Sequence, residues 1–297
     1  MVDLSICIVT YNVTKIVDEL LTSIYQKTIQ LDFEVLIVDN DSTDGIDEIV
    51  KKYPNVNFVK NKVNVFFTKA DNQNLKRARG KYIVSLNPDT LILPGTLEKM
   101  VGFLELNPDV GAVTPKFFFP DGIIQKSIGR FPNLIYGIFE AIGINTFFPE
   151  NKINRDIMTN ELFYDPDKIQ EASVLYGACI MIRREVLDTV GLKDEKFIHG
   201  WDEYDWCKRI AQKGWRLCYL PDAIVVHHCG ASRKQVTSNI SLDKYHWDGL
   251  FYLYKKHFGY STYVLLRFLR YLSTILKKTK IIDGLNILME KKKWRGL

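Results

Sequence analysis

The chain has 297 residues, 46% of them hydrophobic and 25% charged, with a formal net charge of +5. Those proportions exclude long disorder and allow a filled core without staples, in one large α/β domain with an appendage or in two small domains. From Tyr252 onward there are eleven Lys or Arg and two acids, a net of +9, so the preceding 251 residues carry about −4; this argues against a nucleic-acid enzyme and for a faintly acidic body with a tail suited to an anionic surface.

Leu4 to Val9 is a short apolar run that ends at Thr10-Tyr11-Asn12, and Ile16, Leu20, Leu21, Ile24 and Tyr25 then mark one helix face. Phe33 to Val38 reads as a near-continuous strand, stopped by the turn and cap residues Asp39 to Gly45. Ile46 to Tyr53 reads as a helix, Val56 to Val59 as a strand, Thr68 to Arg79 as a helix and Lys81 to Leu86 as a fourth strand. Asn87-Pro88-Asp89 ends that strand, and Pro94 suits the first turn of a further helix. Strand–helix alternation at this spacing predicts βαβ units and a parallel sheet, whose ligands bind beyond the carboxyl ends of the strands. The polar clusters at Thr10–Asn12, Asp39–Asp44 and Asn87–Asp89 all fall at such ends.

Gly111 to Phe119 is a further expected strand, and 120–170 is irregular and read as an insertion or flap. Val174 to Arg183 is expected as a strand, Glu185 to Val190 and Trp201 to Lys213 as helices, with Gly214 just past the second. Arg216 to Leu220 and Ala223 to Val226 give two short strands, the second ending at His227-His228. From Tyr260 to Lys278, basic residues recur at spacings of three and four among Tyr, Leu, Phe and Ile, which predicts a basic amphipathic helix. Arg267 and Arg270 argue against its spanning a membrane; such a helix can lie in the interface or pack on the body. The five cysteines (7, 179, 207, 218, 229) form no CxxC pair, and Asp3 precedes the first short apolar run, so reduced thiols and no signal peptide are expected.

Each polar cluster carries two readings. Asp39 can hold a base or ribose, or cap a turn. Asp89 can hold Mg or Mn beside a diphosphate, or sit solvated after Pro88. Asp202, Glu203 and Asp205 can include a general base for an acceptor hydroxyl, or simply complement a helix dipole. Trp201 and Trp206 can stack on sugar, and of His227 and His228 at most one faces the site, because neighbours in a strand point opposite ways.

Taken together, Ser5-Ile-Cys-Ile-Val-Thr-Tyr-Asn12, Val38-Asp-Asn-Asp-Ser-Thr-Asp-Gly45, Leu86-Asn-Pro-Asp-Thr90, Trp201-Asp-Glu-Tyr-Asp-Trp-Cys-Lys-Arg209 and Val225-Val-His-His-Cys-Gly-Ala-Ser232 resemble the family 2 glycosyltransferases, nearest to rhamnosyltransferase-type and galactofuranosyltransferase-type members. The resemblance runs from about Leu4 to Ser232. It implies a GT-A fold, with a Rossmann-like, mostly parallel sheet flanked by helices, and a C-terminal helical extension. It implies a catalytic domain over 1–240, with a nucleotide-binding half to about 115 and an acceptor half over 116–240, followed by a basic helical tail over 241–297.

By the same resemblance, Thr10, Asn12, Asp39, Asn72, Asn87 and Asp89 would contact the nucleotide sugar, and Asp89 and His227 would hold a divalent Mg or Mn ion. Glu203 would be the base, with Asp202 its close rival, and Trp201 and Asp205 would face the acceptor. The implied reaction inverts the anomeric centre of a sugar, rhamnose foremost, from a dTDP or UDP donor to a glycan or lipid-linked glycan in cell-surface polysaccharide synthesis. The implied location is the cytoplasm, peripheral on the inner membrane surface. One departure stands out. The family's NxGFxxAxNxG stretch reads Asn64-Val-Phe-Phe-Thr-Lys-Ala-Asp-Asn-Gln-Asn74 here, so Phe66 and Asn74 replace two glycines. Phe66 implies either an altered donor site or a shifted backbone. With the neutral Asn87, these losses also keep open a weakly active or inactive nucleotide-sugar-binding protein.

Overall fold

The computed structural model describes residues 2–143, 164–198, 200–229 and 242–278. His199, the 230–232 end of the late histidine segment, 144–163 of the expected insertion and the basic residues beyond 278 lie outside them.

Four parallel strands form the first half of the sheet: β1 (Leu4–Thr10), β2 (Phe33–Asp39), β3 (Val56–Lys60) and β4 (Tyr82–Leu86). The order continues β3-β2-β1-β4-β11-β6-β12-β5, with β5 at Thr90–Ile92, β6 at Val110–Phe118, β11 at Cys179–Arg183 and β12 at Arg216–His227. β11 runs antiparallel to both neighbours, β4 and β6, so Cys179 pairs with Leu86 and Met181 with Val113. Short β7 (Ile124–Gln125) and β9 (Gln170–Glu171) pair with β6 and β12, while β8 (Ile128–Gly129) and β10 (Val174–Leu175) form a separate pair. The sheet is thus mixed and mostly parallel, as expected, but β5 was not foreseen. The two strands expected over 216–226 are one strand, whose register breaks between Leu220 and Ile224, around Pro221. Proline cannot donate to a ladder, so a bulge is where a sheet tolerates it.

Helices cover both faces. Leu4, Ile6 and Ile8 of β1 pack with the buried sides of α1 (Thr14–Lys27), α2 (Ile46–Val50) and α4 (Thr96–Leu106). Cys7 of β1, Ile83 and Ile182 point the other way, toward α3 (Phe67–Arg77), α6 (Arg184–Val190) and α7 (Asp202–Gln212). Strand alternation delivers both sets, and burial on both faces explains the continuous apolar runs. α1 has no side-chain cap of its own. Val17, Leu20, Leu21 and Ile24 are fully buried, at roughly 1.5–3 kcal/mol each, which outweighs the ~1 kcal/mol of a missing cap. Asp44 takes the cap's place, accepting the Thr14 N–H at 2.8 Å. Pro94 lies just ahead of α4, whose first turn opens after Gly95 in a left-handed conformation.

The chain divides into two compact units, Met1–Phe131 with Phe163–Gly249, and Pro132–Leu162 with Leu250–Leu297. The second contains α5 (Leu134–Ile142), the end of α8 (Leu242–Phe258) and α9 (Tyr260–Lys278). Asn133 caps α5 through the Tyr136 N–H at 2.9 Å, a helix the irregular composition had hidden. In α9, Leu266 and Ser273 are buried, and the Ser273 hydroxyl donates to Ile142 O. Val264, Leu265, Phe268, Tyr271, Leu272 and Ile275 are exposed. Among the described residues no helix is long and apolar enough to cross a membrane. Cys7, Cys179, Cys207 and Cys218 are buried free thiols, and Cys229 is an exposed one.

Candidate functional site

The carboxyl ends of β1, β2 and β4 meet the start of β11 and the end of β12 along one edge of the sheet. Thr10 stands opposite Asp39, Leu86 opposite Cys179, and Thr90 opposite His227.

At the β1–β2 end, Asp39 is fully buried and organises the loop after it. Its Oδ1 accepts from the Thr10 and Ser42 hydroxyls at 2.7 and 2.5 Å, and its Oδ2 accepts the Ser42 N–H at 2.8 Å. Asn12 joins this net: its N–H donates to Ser42 Oγ, and its Oδ1 accepts the Thr43 N–H. Thr10, Asn12 and Asp39 therefore form one hydrogen-bonded group. Asn40, overlooked in the sequence, ties this group to the next loop by donating to Phe66 O and accepting from Asn61.

Where the resemblance expects a glycine, Phe66 sits at φ 66°, ψ 172°, a conformation open almost solely to glycine. Its ring meets Tyr245 edge-on at 5.6 Å. At the other lost glycine, Asn74 is buried and its amide donates to Ile8 O at 2.8 Å.

After β4, the Asn87 N–H donates to Ala178 O and the Thr90 hydroxyl donates to Asn87 O, which fixes the turn that carries Asp89. Asp89 Oδ1 lies 3.4 Å from His227 Nε2, and both side chains are buried. His228 gives only its backbone N–H, to Asp89 O. Gln125 Oε1 is 3.0 Å from His227 Nδ1, which leaves Nε2 facing the carboxylate when Nδ1 carries the proton. No group of three or more His, Cys, Asp or Glu side chains is gathered for a metal among the described residues. The Asp89–His227 pair nevertheless fits a divalent ion that shares its shell with phosphate oxygens. Two adjacent ligands on such an ion are about 3 Å apart, and a carboxylate with an imidazole suits Mn better than Mg, which prefers oxygen ligands throughout.

α7 places the acids. Trp201 precedes it in a left-handed conformation. Asp202 is buried, with Oδ2 at 3.4 Å from Lys193 Nζ. Glu203 is half-buried against Gly177, whose neighbour Ala178 receives Asn87, so Glu203 belongs to the same edge. Burial first, and then the adjacent Asp202 charge, push the Glu203 carboxyl up to about 8, with Lys193 pulling the other way.

Three of the residues expected at ligands are held by the protein's own packing in this structure. Asp205 is fully buried and held by Arg209 at 2.8 Å, whose other nitrogens bind Val190 O and Leu192 O. Asn72 is buried and clamps Lys193, accepting its N–H and donating to its O. Trp201 is buried, with its indole N–H on His246 O. Trp206 is likewise core, donating to Gly191 O. Polar residues near a helix start look alike in sequence whichever way they face.

Two charged residues were missed. Lys193 is fully buried with Nζ 2.9 Å from Asp71 Oδ2. Asp71 shares the inner face of α3 with Phe67 and Leu75 at helical spacing, and that period was the available signal. Lys193 lies in a loop and gave none.

The chain matches the model of Glycosyl transferase family 2 over residues 5–191. It is 26% identical over 269 residues to the N-acetylglucosaminyl-diphospho-decaprenol L-rhamnosyltransferase of Mycobacterium tuberculosis, covering 86% of each protein. It is 27% identical to YwdF, an uncharacterized glycosyltransferase of Bacillus subtilis, over 80% of this chain and 82% of that protein. The fold matches S. aureus TarS 1-349 in complex with UDP-GlcNAc at TM-score 0.58, with 19% identity, over 84% of this chain and 65% of that one. It also matches GalNAc-T7 with UDP, GalNAc and Mn2+ at TM-score 0.57, with 15% identity, over 76% of this chain and 44% of that one. The architecture is therefore the GT-A fold.

Proposed function

The chain belongs to glycosyl transferase family 2, and on that premise we propose that it is an inverting, metal-dependent transferase that moves rhamnose from a dTDP or UDP donor to a hydroxyl of a lipid-linked glycan. The observation that carries the chemistry is Glu203, a half-buried carboxyl beside Gly177, the chain neighbour of the Ala178 whose carbonyl accepts the Asn87 N–H. The likeness, over 86% of each protein, to an N-acetylglucosaminyl-diphospho-decaprenol L-rhamnosyltransferase supports the donor and the acceptor class.

In this reading the nucleoside lies over the Thr10–Asn12–Asp39 group, and Asp89 and His227 hold the cation. A cation held there would supply Lewis-acid stabilisation of the charge that grows on the leaving diphosphate. Asp39, Ser42 and Asn40 keep the loop rigid, so little ordering remains to be done on donor binding. Glu203 takes the proton of the acceptor hydroxyl as its oxygen bonds the anomeric carbon and the carbon–phosphate oxygen bond breaks. A single displacement inverts that centre and needs no enzyme nucleophile. A base that titrates near 8 is well matched to a hydroxyl at neutral pH.

The catalytic body in this proposal is 1–240, with 241–297 as its extension. α9 then lies on the anionic inner face of the membrane, with Phe268, Leu272 and Ile275 toward the acyl boundary and the basic residues toward head groups. Its exposed apolar side and the net +9 after Tyr252 support that placement and a peripheral, cytoplasmic location.

The test is transfer to a diphospho-polyprenol N-acetylglucosamine acceptor from a panel of dTDP and UDP sugars, with and without Mn or Mg. Turnover with dTDP-rhamnose that EDTA removes is expected. Donor binding without turnover for every sugar would leave an inactive relative instead.

A further inference from the structure

Behind Glu203 lies a charge cluster that the reaction itself does not touch. Lys193, on the loop after α6, is fully buried, with Nζ 2.9 Å from Asp71 Oδ2 and 3.4 Å from Asp202 Oδ2. Its backbone is gripped on both sides by the Asn72 amide. The rings of Phe67 and Trp206 close round the ammonium at 5.0 and 5.3 Å. Asp71 is fixed in turn by the Ser85 hydroxyl at 2.9 Å. The ammonium therefore cannot swing toward another partner. Burial alone would lower its pKa, but Asp71, Asp202 and Glu203 more than reverse that, and it stays charged.

One cation thus faces three carboxyls. With all of them ionised, the pocket would hold an excess negative charge out of water, and one carboxyl must take a proton. Asp71 and Asp202 are in ion-pair contact with the ammonium; Glu203 is the outer member, against Gly177. The other groups around Glu203 do not compete. Cys207 lies one turn along α7 as a buried thiol pushed up by burial, the Tyr176 ring packs near Tyr204, and the turn at Gly177 brings no charge.

We propose that Lys193 is a positioning residue that pins the charge on Asp202 and so leaves Glu203 as the carboxyl that gains and gives up the proton. This rests on the reading of Glu203 as base. It adds a reason why two adjacent acids at the start of α7 are not interchangeable: the ammonium stands beside one of them and sets where the shared proton of the coupled pair resides. The geometry gives opposite signs for two substitutions. Asp71→Asn frees the ammonium's field for Asp202 and Glu203, and so favours the ionised Glu203. Asp71→Asn with Lys193→Met removes a buried pair together, leaves no orphaned charge at Asp71, and favours the protonated Glu203.

The experiment uses the full chain, labelled with 13C-carboxyl glutamate, with the Glu203 signal assigned by Glu203→Gln. Its titration midpoint is followed in wild type, Asp71→Asn and the double variant, alongside the pH profile of kcat/KM with dTDP-rhamnose. The midpoint is expected to fall by about one unit in Asp71→Asn and rise by about one unit in the double variant, with the donor KM unchanged. Unchanged midpoints, or shifts of the same sign in both variants, would show Lys193 to be a core ion pair only and overturn the proposal. If the carboxyl midpoints move in opposite directions and the kcat/KM profile does not follow them, the assignment of Lys193 stands and the reading of Glu203 as base fails.

Discussion

Asp89 Oδ1 and His227 Nε2 face each other across 3.4 Å, one carried by the turn after β4 and the other by the last residue of β12. β12 reaches that point because it pairs with β5, so the strand that sequence reading missed sets the pair's spacing. Gln125 holds the far side of the imidazole. Removing such an outer partner weakens metal binding by roughly 10–100-fold. Gln125→Ala should raise the Mn concentration for half-maximal turnover by that factor, and His227→Ala should raise it further. Equal Mn dependence in all three proteins would remove the pair from the metal site.

Glu203→Gln should lower kcat by roughly 10²–10⁴-fold, the worth of a general base, while donor affinity by calorimetry is kept. In the wild type kcat/KM should rise with pH through about 8, where Glu203 loses its proton. Stability should run the other way. The folded protein binds more protons than the unfolded chain between the ordinary glutamate value, about 4.3, and about 8, so stability falls as pH rises across that window. Glu203→Gln escapes that fall, and its melting temperature should overtake the wild type's as pH approaches 8. Parallel melting curves across pH would contradict it.

The strained backbone at Phe66 makes an unusual ordering testable. A non-glycine residue in this conformation costs about 1–3 kcal/mol, while an edge-on aromatic contact such as that with Tyr245 returns about 0.5–1.5 kcal/mol. Phe66→Gly gives up the contact and the strain together and should lie between about 0.5 kcal/mol less and about 2.5 kcal/mol more stable than wild type by these magnitudes. Phe66→Ala keeps the strain and loses the ring, so it should be the less stable of the two in urea. Alanine more stable than glycine here would mean that the strain is not carried.

Glu34 should make the first half of the sheet sensitive to acid. Burial pushes its carboxyl up, but hydrogen bonds from Ser5 and from the Arg79 guanidinium and N–H outweigh that and hold it below the usual range. A folded value below the unfolded one stabilises the protein above the unfolded pKa and is lost as pH falls through the folded value. Glu34→Gln should cost about 2 kcal/mol at pH 7 and progressively less below pH 4. A cost independent of pH would refute the charge argument.

For α9, Arg267→Gln with Arg270→Gln should weaken binding to vesicles containing anionic lipid. At about 1 kcal/mol per charge, the loss is on the order of thirtyfold. Phe268→Asp should weaken it on neutral vesicles as well. Binding unaffected by either change would leave the exposed side of α9 to another partner.

The strands, the polar clusters at their ends and the helical stripe of α9 were legible because period-2 and period-3.6 patterns survive in single segments. The short β5 offered too few residues to show a period, and Gly137 inside α5 blurred that helix among Asn, Pro and aromatics. Asp205, Asn72 and Trp201 carry scaffold contacts that no pattern shows, because tertiary contact alone decides whether a polar or amphipathic side chain on or beside a helix points to a ligand or to its own scaffold. Asp71 and Lys193 were invisible as a pair because the contact spans α3 and a loop far along the chain.

The antiparallel β11 has a consequence for how the protein is made. Its residue Cys179 is the partner of Leu86, and about 90 residues must be synthesised between them. At roughly 5–20 residues per second, the four parallel strands wait on the order of 5–20 s with the open side of β4 bare. An unpaired flank of that kind is a template for any other strand. During translation, the most vulnerable part of this enzyme is therefore the seam that β11 later closes.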